Sequence, residues 1–102
     1  MAQLLALYHQ PKDPTAFEQH YYGTHVPLAK QLPGLRTYTV SKGPLVAAAG
    51  DPPYYLVAVL TFDSMAAIQA ALASPQGEAA VADVAVVATG GATILMYDTH
   101  EV

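Results

Sequence analysis

Two stretches of this chain are apolar on both sides of an extended backbone, and few folds can accommodate that. In Gln3 to His9, Leu4, Ala6 and Tyr8 share one parity while Leu5 and Leu7 share the other. In Tyr54 to Phe62, Leu56, Ala58, Leu60 and Phe62 fall on one face and Tyr55, Val57 and Val59 on the opposite one. Strand side chains alternate with period two, so each stretch reads as a strand with no polar face to give to water. Residues 1–102 are expected to form one domain, of ordinary domain size. Charged residues make up 12% of it, against about 25% in a typical soluble domain, so polar surface is scarce. The simplest cover for the second sheet face is another copy of the chain, and a homodimer is expected.

The remaining elements follow from caps and breakers. Asp13 can cap a helix with Pro14 at its first position, and Thr15 with Glu18 offers a capping box as an alternative start. Phe17, Tyr21, His25, Leu28 and Leu32 then recur at helical spacing. Gly23 and Pro27 interrupt this helix, so a kink or break is expected at residues 23–27, and Pro33-Gly34 stops it. Leu35 to Ser41 alternates as a strand, and Gly43 to Pro53 reads as a loop. Ser64 caps a helix over Met65 to Ala73; Ser74-Pro75 starts another that runs to about Val87. Ala92 to Tyr97 is the last strand, followed by a polar tail. The order β-α-β-β-α-β is the α+β, ferredoxin-like arrangement with an antiparallel sheet and helices on one face.

Several partner classes are excluded. Net charge is −4, and Lys12, Lys30, Arg36 and Lys42 are the whole basic complement, so no patch suits nucleic acid. Cysteine is absent, which removes thiol chemistry. No run approaches the roughly 20 apolar residues of a membrane span, and MAQLLALYHQ lacks the basic region of a signal peptide. A cytoplasmic location is expected by default. Gly90-Gly91 is too short for a dinucleotide fingerprint, no H-E-x-x-H occurs, and no carboxylate stands at metal-ligand spacing from the histidines. The expectation is therefore chemistry without cofactor or metal.

Phe17 to Leu35 carries the chemistry. His25 lies one helical turn from Tyr21 and could act as a general acid or base with Tyr21 as helper; it could equally plug the kink before Pro27. His20 is about 140° from His25 round an ideal helix and reads as a surface or interface histidine. Tyr8 and Tyr38 share the parity that can place both over the helix side, where phenols suit an aromatic or lactone-like ligand. With Phe17 and Arg36 they are the expected binding residues. Arg36 could hold a carboxylate or enolate, or could pair with an acid such as Asp98. Asp83, the one charge in Val-Ala-Asp-Val-Ala, either orients a histidine or faces water. The loop from Ala47 to Pro53 could be a lid over the pocket or a dimer contact.

The pattern F-x-x-H-Y-x-x-x-H-x-P-L, followed by L-P-G-L, resembles the signature of the EthD family. Phe17, His20, Tyr21, His25, Pro27, Leu28, Leu32, Pro33, Gly34 and Leu35 carry it. Ala82-Asp83 and Thr89-Gly90-Gly91 extend the likeness, whereas Val86-Val87 stands where relatives often carry Asn-Phe. The resemblance implies a dimeric α+β barrel. It also implies a role in catabolic or oxidative metabolism, since the family is named for the degradation of a branched ether, where its member accompanies an oxygenase system. Related barrels include cofactor-free monooxygenases, lactone isomerases and polyketide cyclases. Two functions follow as expectations: an enzyme that binds a small apolar organic molecule and moves a proton, or a non-catalytic accessory protein that holds such a molecule.

Overall fold

In the computed structural model, which describes residues 1–102, the two-faced apolar runs become the central strands of a four-stranded antiparallel sheet. β1 (Ala2–His9) lies between β3 (Tyr54–Phe62) and β4 (Ala92–Asp98); β2 (Thr37–Val40) flanks β3, for an order β2-β3-β1-β4. Leu4 stands opposite Leu60 and Met96, Ala6 opposite Ala58 and Ile94, and Tyr38 opposite Leu60. Ala2, Leu4, Ala6, Tyr8, Leu56, Ala58, Leu60 and Phe62 thus share one face, and all are buried. Leu5, Leu7, Val57 and Val59 share the other, where burial is only partial and no helix lies. The molecule measures 35 × 34 × 18 Å, a slab one sheet and one helical layer thick. No helix is long and apolar enough to cross a membrane.

α1 (Pro14–His20) starts where the capping residues direct. Asp13 is extended, and its carboxylate accepts from the backbone N–H groups of Thr15 and Ala16. Such a cap contributes about 1 kcal/mol. The expected break near residues 23–27 is a single π-helical turn, π1 (Tyr21–His25), which leads directly into α2 (Val26–Lys30). Pro27 has no N–H and its ring crowds the carbonyl four residues back, which belongs to Gly23. Widening one turn, so that the Val26 N–H reaches the Tyr21 carbonyl, accommodates both defects while every residue keeps right-handed helical angles. The helix is therefore rewound, not severed.

α3 (Met65–Ala73) and α4 (Pro75–Val87) are capped by Ser64 and Ser74, as their sequences direct. The turn between them is so tight that a Cβ at Gly77 would collide with the backbone of Ala71 and Leu72. Gly90 meets the Gln10 carbonyl with equal closeness. β2 is shorter than the alternating stretch Leu35 to Ser41, because regular pairing covers Thr37 to Val40 only; single bonds from Arg36 N–H to Thr61 and Ser41 N–H to Val57 flank it.

Candidate functional site

All four strands, π1, α2, α3 and α4 line an open-sided cavity of about 390 Å³ between the sheet and the helices. Leu4, Ala6, Ala58 and Leu60 form its floor, and Ala29, Leu32 and Val84 form part of its helical wall. Exposed Val81 and Ile94 stand at its rim. Its polar atoms come from one imidazole and three phenols: His25, Tyr8, Tyr21 and Tyr38. No charged side chain lines it.

His25 is fixed from behind. Its Nδ1 lies 2.9 Å from Asp83 Oδ2, and both side chains are nearly buried. A carboxylate only accepts, so Nδ1 carries the proton and donates it, leaving Nε2 as the acceptor nitrogen. The Tyr8 hydroxyl, 3.4 Å from Nε2, is the group placed to donate to it. The other carboxylate oxygen of Asp83 accepts from His20 Nε2 at 2.7 Å. One acid on α4 thus ties together histidines at either end of the π-turn. On an α-helix these residues would diverge; the widened π-turn brings residues five apart closer to one face. That geometry escapes any reading at α-helical spacing. The signal available was Pro27 two residues beyond the His20–His25 pair, together with a lone acid in an apolar helix.

The phenols form a second group. Tyr21 and Tyr38 hydroxyls are 2.7 Å apart. Burial, then Tyr38, hold the Tyr21 hydroxyl far above its ordinary value. Burial also raises Tyr38, but the bond to Tyr21 draws it part of the way back. The two hydroxyls share one hydrogen bond, in which either oxygen can donate. Burial, followed by Tyr38 and Asp83, likewise raises Tyr8, which stays a neutral donor. Tyr21 also stacks on His25, with ring centroids 5.3 Å apart.

The other expected site residues divide. Phe17 packs on Tyr8, Tyr21 and Tyr55, behind the cavity and not in it. Arg36 lies outside: its guanidinium makes a two-point exposed ion pair with Asp63, neither facing a ligand nor meeting Asp98. Its strand enters at the sheet edge, and an arginine there reaches the nearest acid along the surface. No residue of the Ala47 to Pro53 loop lines the His25 cavity; Pro52, with Gly43 to Leu45, borders a different groove beside Glu18 and Tyr22. His9 meets Thr93 and Tyr54, and His100 is exposed in the tail.

Comparison with known proteins agrees with this architecture. An uncharacterized 11.0 kDa protein of Rhodococcus erythropolis, from the thcB-thcC intergenic region, is 41% identical over 103 residues, covering 100% of this chain and 98% of that one. The crystal structure of an EthD-family protein from Bacillus halodurans superposes with a TM-score of 0.88 at 33% identity, over 98% of this chain and 99% of that one. SnoaB from Streptomyces nogalater, described as a cofactor-independent oxygenase, shares the fold at a TM-score of 0.67 and 16% identity, over 99% of this chain and 94% of that one. The EthD domain pattern matches residues 9–90, a span that holds His20, His25, Asp83 and the tyrosines Tyr21 and Tyr38. With that match and those identities, the chain belongs to the EthD family.

Proposed function

We propose that this protein binds a small, uncharged, largely apolar organic molecule in the cavity and that His25 removes or returns a proton on it. The single observation that carries the reading is the His25 imidazole on an apolar cavity, held at Nδ1 by Asp83 and left with Nε2 as an acceptor within reach of Tyr8. A base in such surroundings meets little competition from water. The cavity has no cation to recognise a carboxylate or phosphate, which favours a neutral phenol, ketone or lactone. The Tyr21–Tyr38 hydroxyl pair offers a donor to an oxygen of that ligand, and Tyr8 shares the imidazole. Chemistry of this kind opens oxidation, isomerisation or cyclisation of an activated carbon. The protein works as a homodimer joined through the open sheet faces.

The test uses neutral cyclic 1,3-diketones and hydroxyaryl ketones in deuterated water. Wild-type protein is expected to speed exchange of their acidic hydrogens. His25→Gln keeps size and hydrogen bonding but abolishes proton transfer, and is expected to lose about 10²–10⁴-fold of that rate. Saturable binding with no exchange by either protein would instead identify an accessory binding protein.

A further inference from the structure

The cavity needs one histidine and one acid, yet the acid holds two histidines. His25 is inside, with 7% of its side chain exposed, and Asp83 has 10%. His20 is the outer partner, 32% exposed, beside a surface groove that Lys12, Asp13 and Thr89 also border. Its Nε2 is bound to Asp83, and its Nδ1 has no protein partner and is not buried. The three groups therefore run in an unbroken line from the cavity to water.

We propose that His20 and His25 share one imidazolium across Asp83, so that a proton taken up at His25 is matched by one released to water from His20. The proposal rests on the reading of His25 as a base. A single carboxylate neutralises a single imidazolium. With one imidazolium beside the carboxylate, whichever histidine carries it, the trio is neutral overall. When His25 Nε2 accepts a proton from a ligand, two imidazoliums flank one carboxylate, and repulsion between them across a poorly hydrated site favours loss of the outer one. The His20 Nδ1 proton leaves to water while Nε2 keeps its bond to Asp83. No proton crosses the carboxylate, and charge balances at each stage: one proton in, one out. On return of the proton from His25 to a ligand, His20 takes one back. His20 is thus a positioning residue for charge. The groups around this trio are Tyr8 on β1 and Tyr21 on π1, both kept neutral by burial, and Lys12 and Asp13 before α1, which border the groove beside His20.

The test needs no substrate. Ring-nitrogen NMR of histidine-labelled protein follows each imidazole against pH, in the wild type and in His20→Gln and His25→Gln. Gln at either position can still donate to Asp83 but carries no charge. Replacing His20 is expected to move the His25 titration upward by roughly one pH unit, and replacing His25 to move His20 upward by the same amount, since coupling is reciprocal. Unmoved curves, or a shift in one direction only, would overturn the shared charge and leave His20 as a clasp between helices. Reciprocal shifts in a protein that exchanges no ligand hydrogens would keep the pairing and remove the proton-transfer reading; exchange without reciprocal shifts would do the opposite.

Discussion

At the scale of single residues, the site depends on which ring nitrogen of His25 keeps its proton. Asp83→Asn replaces an obligate acceptor with an amide that can also donate, so the tautomer is no longer fixed. We expect it to lower folding stability by about 1–3 kcal/mol through a poorly satisfied buried group, measured by urea unfolding, and to lower any His25-dependent rate. The buried phenols make a separate prediction. Tyr8 and Tyr21 are raised by burial, so in the folded chain they stay protonated above pH 10, where the unfolded chain ionises. The unfolded state then binds fewer protons, and stability falls as pH rises: fully present below about 10, then lost by about 1.4 kcal/mol per pH unit for each such tyrosine. Unfolding midpoints between pH 9 and 11 check this, and folded protein whose phenolate absorbance rises in full near pH 10 would contradict it. His25, Tyr21, Tyr8 and Tyr38 were legible as a group because motif and parity both point to them. The double use of Asp83 was not, because a lone acid in an apolar run looks the same whether it faces water or a histidine.

Among the elements, caps were the most legible feature. Asp13, Ser64 and Ser74 each begin a helix where their side chains meet free N–H groups, a local matter that sequence states directly. The π-turn was only half legible. Pro27 announces a defect, but whether a helix breaks or widens depends on what holds its two ends, and here Asp83 holds both. Two glycines separate local freedom from tertiary need. Gly23 lies in π1 with open space where a Cβ would project, so Gly23→Ala should stabilise by about 0.5–1 kcal/mol through a less flexible unfolded chain. Gly77→Ala would drive a methyl into the α3 backbone and should cost about 1–3 kcal/mol. Paired urea titrations of the two variants at unchanged slope measure both signs.

For the molecule as a whole, the expected sheet and helical layer follow from strands that need covering, and the helices cover one face only. The other face presents Leu5, Leu7, Val57 and Val59, continued by Leu95 and Tyr97 on β4, which are 48% and 37% exposed. A charge at its centre should prevent a second copy from packing there. Leu5→Glu is expected to convert a dimer in sedimentation into a folded or partly destabilised 10.7 kDa chain. A wild type that sediments as a folded monomer at micromolar concentration would reject the pairing. The placement of the cavity then has a consequence for how ligand is taken up. It opens on the helical side of the sheet, away from the open apolar face, so in the proposed homodimer the two cavities lie back to back with two sheets between them. In that proposed arrangement each cavity is lined by its own chain alone. Filling one leaves the affinity of the other unchanged: one molecule per chain, and a hyperbolic isotherm with a Hill coefficient of about one.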